Sequence, residues 1–234
     1  MRGATNQLLG TAPVTQVGLR RAQDILFASA AVATLAPLFL IVALAIWIEG
    51  GRPILFSQLR LGQNGRPFRM YKFRKFRPDC DRHGCPLTVE GDGRLTMIGR
   101  ILAASKLDEL PQLWNVLRGD MALVGPRPES LAFSDCFHGG FEKILDHKPG
   151  LFGPCQVMFR HESRLYPTDV AAVDFYRQFL FPTKAKIDLA YFPRRTLASD
   201  LGWIFRAAWA IAAGSWTERT LKDQSKDSGQ QTGH

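Results

Sequence analysis

Twenty-four consecutive residues, Ile25 to Ile48, carry no charge, and this run limits the chain to folds that give it lipid or a deep core. Its length is enough for a transmembrane helix. Two features oppose a simple span. Pro37 stands in the middle, where it removes a helical hydrogen bond and crowds the preceding turn. Both flanks are basic, Arg20 and Arg21 before and Arg52 and Arg60 after, against the tendency of cations to stay on one side. A helix broken at Pro37 has two arms of about a dozen residues, each roughly 18 Å long. Such a hairpin enters one leaflet and returns with both ends on the same face. Its freed carbonyls then need local partners, such as the Ser29 or Thr34 hydroxyls or adjacent protein. A kinked span is the alternative. Residues 1–18 have no apolar core of a cleaved signal and read as a flexible arm, and 19–50 as the re-entrant membrane helix.

The formal charge is +9, and much of the excess is local. No acidic residue lies between Glu49 and Asp79, while Arg52, Arg60, Arg66, Arg69, Lys72, Arg74, Lys75 and Arg77 all do. Such a block needs an anionic partner. Asn64-Gly65, set between two strand-like runs, predicts a β-hairpin. Its second run interleaves aromatics with cations, a pattern able to stack on single-stranded RNA. Beside an apolar helix the same side chains suit lipid head groups or phosphates better, so no nucleic acid partner is expected. A nucleic-acid complex would dissociate with salt, whereas the apolar run predicts that only detergent releases the protein. Cys80, His83 and Cys85, with Cys136 or His138, could approach a zinc site, but the spacing fits no common module and a mobile loop is the preferred reading. Four cysteines make no disulfide scaffold. Residues 197–213 form an amphipathic stretch with Trp203 and Trp209, and Trp216 follows. It suits either the bilayer interface or a protein core. Residues 214–234 read as a disordered tail.

Asp108-Glu109 opens a short run in which Leu110, Leu113, Trp114 and Leu117 share a helical stripe. Pro111 fits only in a first turn, which puts Asp108 at or near an N-cap, with Ser105 three residues earlier as in a capping box. Two adjacent carboxylates can equally serve phosphoryl transfer, one attacking phosphorus and the other holding a divalent cation. Both readings use a helix N-terminus. Gly125-Pro126-Arg127-Pro128 fixes an arginine between two prolines, and a guanidinium so held suits phosphate. It also suits a purely structural turn.

Taken together, residues 19–212 resemble the bacterial sugar transferases, the monotopic phosphoglycosyl transferases. The resemblance rests on the apolar segment with Pro37, Gln58-Leu-Arg-Leu-Gly62-Gln-Asn-Gly65, Tyr71-Lys-Phe-Arg74 and Asp92-Gly-Arg-Leu-Thr-Met-Ile-Gly-Arg100. The long run from Leu107 to Glu129 carries most of it, followed by Lys148-Pro-Gly150, Gln156-Val157 and Asp188-Leu-Ala-Tyr191. It implies an α+β monotopic protein of the bacterial inner membrane, with a re-entrant helix, a small β-hairpin and interfacial helices, and with the domain at 51–213 on the cytoplasmic face. The implied reaction moves a sugar-1-phosphate from a nucleotide diphosphate sugar, expected to be UDP-linked, to polyprenyl phosphate, releasing UMP. Asp108 would be the nucleophile. Asp108 and Glu109 would hold Mg²⁺, and Arg127, Arg100, Lys72 and Arg74 would bind phosphate. The partners are thus the nucleotide sugar, polyprenyl phosphate and phospholipid. Nothing in the sequence speaks to the oligomeric state or to the sugar, whose determinants are sought between His161 and Lys186.

Four positions depart from the family pattern. Ala36 replaces a serine before the helix-breaking proline. Ala103 replaces an arginine five residues before the nucleophile, a phosphate ligand in many members, for which Arg100 or Lys106 must substitute. Lys75-Phe76 replaces Thr-Met, and Gly153-Pro-Cys155 replaces Gly-Leu-Trp. Ala103 leaves a non-catalytic membrane-surface scaffold of the same fold as the alternative.

Overall fold

The computed structural model describes residues 14–78, 80 and 86–210. Helix α1 (Val14–Gly50) leads into strands β1 (Leu55–Leu61) and β2 (Pro67–Phe73), then helices α2 (Met97–Ser105) and α3 (Gln112–Arg118). Strands β3 (Ala122–Val124) and β4 (Gly150–Phe152) follow, with α4 (Pro154–Met158) after them. Helices α5 (Ala172–Phe175) and α6 (Phe181–Tyr191) are joined by a π turn, Tyr176–Leu180. A last helix, α7, covers 197–210. The helices and two small sheets agree with the expected α+β class.

The expected division at Pro37 is absent, since α1 stays helical from Val14 to Gly50 through the proline. Loss of one backbone bond is tolerated because the chain beyond it is held by packing. Phe39 lies 5.6 Å from the Phe73 ring, and Val42 and Ile46 are buried with Phe73 and Leu102. The helix also begins earlier than expected, within the segment read as a flexible arm.

One face of α1 is covered by the rest of the chain. Ala28 packs with Leu113 and Val116, while Leu26, Leu40, Ile41, Leu44 and Ile48 are exposed. Mean hydropathy along its apolar window is 2.5 with only 11% of that window buried, compatible with a monotopic membrane protein. Both ends are tied to the same body. Arg20 donates to the Arg195 carbonyl at 3.0 Å, Arg21 to Val116 and Leu117 carbonyls at 2.6 and 2.7 Å, and Asp24 accepts from the Leu123 amide at 3.0 Å. At the other end Glu49 accepts from the Ile98 amide at 3.0 Å.

The Asn64-Gly65 signal gives an antiparallel hairpin in which Gln58 faces Met70 and Arg60 faces Phe68. Asn64 and Gly65 both take positive φ, 57° and 72°, as the turn requires. Met70 and Phe73, on opposite faces of β2, enter two different cores. Helix α3 docks on the hairpin through buried Asn115, which accepts from the Tyr71 amide and donates to the Arg69 carbonyl. Trp114, on the apolar stripe with Leu113, is exposed.

Strands β3 and β4 pair in parallel, Ala122 with Gly150 and Val124 with Phe152. The approach at their ends is tight enough to exclude side chains. A Cβ on Gly125 would lie 2.2 Å from the Lys148 carbonyl oxygen, and one on Gly150 would lie 2.0 Å from the Gly125 nitrogen. That contact fixes the start of the Pro126-Arg127-Pro128 turn. Its end is fixed by β1, whose Leu61 amide donates to the Glu129 carbonyl at 2.9 Å.

Helix α7 has one face packed on the body, as the core reading expected, and one face exposed. Asp200 is buried, accepting from the Tyr191 hydroxyl at 2.8 Å and facing Arg20 and Arg195 at 3.7 and 3.9 Å. Phe205 and Trp209 point outward and are exposed. Among the described residues no three potential metal-binding side chains cluster, and Cys80 and Cys136 are free. His83, Cys85, Trp216 and the 214–234 tail lie outside the described residues.

Candidate functional site

Asp108 does not cap a helix. It sits in a 3₁₀ turn, Leu107–Glu109, and α3 begins later, at Gln112, with Pro111 at its N-cap position and no side-chain cap. Ser105 forms no capping box either, because its hydroxyl donates back to the Ile101 carbonyl at 2.7 Å. The proline explains the shift: with Pro111 at the cap, the helix starts beyond the carboxylates. Asp108 is 2% exposed, and its Oδ1 is buried with no hydrogen-bond partner among the described residues. Its Oδ2 lies 3.9 Å from Lys75 Nζ. A buried carboxylate oxygen left unpartnered is costly and needs an explanation other than stability.

Glu109 is held between two cations. It accepts from Lys72 Nζ at 2.8 Å and from Arg127 Nη2 at 3.3 Å. Burial pushes its carboxyl up, but Lys72, Arg127 and Lys106 outweigh this and hold it well below the usual carboxylate range. Burial also lowers Lys72, to about 8 despite Glu109 and Asp108. Burial acts against the charge of Arg127 as well, yet Glu109, Glu162 and Glu129 more than offset it and raise its pKa. At neutral pH the group is therefore an ionised carboxylate bracketed by two ionised bases.

These residues come from four separate elements: β2 and its extension supply Lys72, Arg74 and Lys75, the end of α2 supplies Lys106, the 3₁₀ turn supplies Asp108 and Glu109, and the Pro-flanked loop supplies Arg127. They line one cavity of about 990 Å³. Arg74 lines it too, donating Nη2 to the Ile46 carbonyl at 3.3 Å while its buried Nε and Nη1 lack protein partners among the described residues.

Arg100 is the exception among the expected phosphate ligands. It is exposed on α2 and does not line the cavity. It stands eight residues before Asp108, which turns it to another part of the helix surface. Lys106 takes the place beside Ala103 instead, and both line the cavity. It ends α2 in the left-handed region, at φ 64°, an uncommon conformation for a residue with a side chain. Burial lowers its pKa. Sequence reasoning passed over Lys75 because strand alternation ends at Phe73 and gives its direction no signal. It also missed a second polar group on the cavity wall, Glu129, Glu162 and Lys184, whose members lie far apart in the chain.

The bacterial sugar transferase family description matches residues 15–214. The chain belongs to the bacterial sugar transferase family. Among curated relatives, a UDP-N-acetylgalactosamine-undecaprenyl-phosphate N-acetylgalactosaminephosphotransferase of Aeromonas hydrophila is 34% identical over 188 residues, 79% of this chain and 44% of that protein. A UDP-glucose:undecaprenyl-phosphate glucose-1-phosphate transferase of Caulobacter vibrioides is 43% identical over 164 residues, 66% of this chain and 61% of that protein. An exopolysaccharide production protein of Rhizobium leguminosarum is 49% identical over 149 residues, 59% of this chain and 73% of that protein. The chain thus spans between two fifths and two thirds of the length of the first two, so membership rests on the domain they share.

Proposed function

We propose that the protein moves a sugar-1-phosphate from a UDP-sugar to a polyprenyl phosphate such as undecaprenyl phosphate, an early step in building an exopolysaccharide or capsule. The observation that carries this reading is Asp108, buried with one carboxylate oxygen unpartnered, on the wall of a cavity ringed by Lys72, Lys75, Lys106 and Arg127. The names of the relatives support the donor and acceptor classes.

In the first step an Asp108 oxygen attacks the phosphorus bonded to the sugar. The bond to the bridging oxygen breaks, and UMP leaves with that oxygen and its electron pair. In the second step a phosphate oxygen of the polyprenyl acceptor attacks the same phosphorus, and the bond to Asp108 breaks to restore the carboxylate. A carboxylate is a weak nucleophile, made competent by positioning. Lys72, Arg127, Lys75 and Lys106 balance the charge on the transferring group. Two adjacent carboxylates, one with an unpartnered oxygen, fit a hard cation that takes oxygen ligands and shares them with phosphates. Asp108 and Glu109 would hold Mg²⁺ here, and the ion when bound offsets charge on diphosphate oxygens. The lysine at 106 supplies a cation beside Ala103, which weighs against the scaffold alternative. UMP release from UDP-sugars, measured with and without undecaprenyl phosphate in nanodiscs, tests the reading. No release from any donor of a broad panel would overturn it.

The lowered pKa of Lys72 gives a pH dependence. As pH rises through about 8 the ammonium loses its proton while Glu109 stays ionised, so kcat/KM is expected to fall. Stability moves the other way in this window. The folded-state pKa lies below the ordinary 10.5, so the unfolded chain binds more protons between about 8 and 10.5, and this group's contribution favours folding as pH rises. Alkaline loss of activity with an intact fold, moved to higher pH by Lys72→Arg, is the expected result of rate and unfolding profiles.

The body anchors at both ends of α1 support a helix that does not cross the bilayer; the cytoplasmic face of the inner membrane, for its part, is what the family resemblance implies. Single cysteines at Gly18 and Arg66, both exposed, should resist an impermeant maleimide in intact cells. Labelling of one alone would indicate a span.

A further inference from the structure

The cavity that holds Asp108 has a second polar wall that the transfer steps do not use. Lys184, on α6 and 5% exposed at its side chain, donates to Glu129 at 3.4 Å, to Glu162 at 3.2 Å and to the Tyr176 hydroxyl at 3.1 Å. Tyr166 donates its hydroxyl to the other oxygen of Glu162 at 2.7 Å. Burial pushes the Glu162 carboxyl up, but Lys184 and Arg127 outweigh it, so it stays ionised. Replacing buried ion pairs by packed apolar residues is often neutral or stabilising, so their presence beside a cavity asks for a role in recognition.

Glu162 is the most open member, with 21% of its side chain exposed against 11% for Glu129. Among the described residues each of its oxygens takes one hydrogen bond, from Tyr166 or from Lys184, and an ionised carboxylate oxygen can accept a second. With Lys184 between them the two carboxylates still carry a net negative charge, so this wall suits the diphosphate less well than the cationic side of Lys72, Lys75 and Arg127. Its chemistry suits neutral hydroxyls, and Phe133, Phe159 and Tyr166 on the same cavity add apolar faces for C–H groups.

We propose that Glu162, oriented by Lys184 and Tyr166, reads vicinal hydroxyls of the nucleotide-sugar donor and so sets which donor is accepted. The proposal rests on the transfer reading above. Two parts of such a donor carry vicinal hydroxyls, the sugar ring and the ribose, and the same side chains suit either.

The test uses the full chain in nanodiscs, as wild type, Glu162→Gln and Tyr166→Phe. Each is assayed with UDP-glucose, UDP-galactose, their 2-acetamido counterparts and the 2′-deoxyuridine form of the preferred donor. A hydrogen bond to a charged group is worth about 1.5–3 kcal/mol, so roughly a ten- to hundredfold change is expected in one ratio of kcat/KM. Collapse of the ratio between sugars places the hydroxyls on the sugar ring. Collapse of the ribo-to-deoxyribo ratio places them on the ribose. Both ratios unchanged in variants that unfold like wild type would overturn the proposal. Tyr166→Phe removes one hydroxyl and leaves the Lys184–Glu162 pair, so it decides the matter if Glu162→Gln does not fold. A wild type that releases no UMP from any of these donors would instead strike at the transfer reading itself.

Discussion

Asp108→Asn should abolish UMP release from a UDP-sugar, lowering turnover by at least about a thousandfold, the scale seen when groups that act as one catalytic unit are removed singly. The substitution keeps size and shape but removes the anionic oxygen that we propose attacks phosphorus. It should leave the fold nearly intact. Asp108 makes no side-chain hydrogen bond that starts α3, and among the described residues its ion-pair partner, Lys75, is 3.9 Å away. Had Asp108 been a cap, the same change would have cost stability and spared chemistry. Thermal unfolding and turnover measured on one preparation separate these outcomes, and undiminished turnover would remove Asp108 from the nucleophile's role.

Glu109→Gln is expected to lower kcat/KM by about a hundredfold or more, on the scale of removing one charged group from a preorganised site. The residue accepts from Lys72 and Arg127, so its charge fixes both cations, and in the proposed mechanism it would also offer an oxygen to Mg²⁺. Two signatures distinguish these duties from general damage. The Mg²⁺ concentration for half-maximal rate should rise, and an unchanged metal titration would count against the ligand role. Glu109 also raises the Lys72 pKa against the pull of burial, so its loss should move the alkaline limb to lower pH than in wild type. A limb that stays in place would show that Lys72 does not control it.

The residues that line the candidate site were legible where one short segment carries both position and chemistry. The run from Leu107 to Glu129 contains Asp108, Glu109 and the Pro-held Arg127, and the basic block contains Lys72 and Arg74. What local pattern could not supply was direction. Arg100 and Lys106 were both open as substitutes for the arginine replaced by Ala103, Arg100 at the disadvantage of standing eight residues before Asp108, and the left-handed end of α2 brings Lys106 to the cavity. Asp108 looked like a cap because Pro111 announces a first helical turn. The helix starts one turn later than that proline suggests. At Pro37 the local cost to the helix is real, yet α1 stays helical through it, with residues beyond the proline packed against Phe73 and Leu102. The Glu129–Lys184–Glu162 group was invisible, since its members are 22 to 55 residues apart and only tertiary packing joins them.

Intact-protein mass spectrometry of the wild type, quenched soon after mixing with a UDP-sugar and no acceptor, tests the central claim most directly. A mass increase equal to the sugar-phosphate, located on Asp108 by fragmentation and lost on addition of undecaprenyl phosphate, is the predicted result. Acceptor-dependent UMP release with no such adduct at any quench time, or with the adduct on another residue, would contradict it.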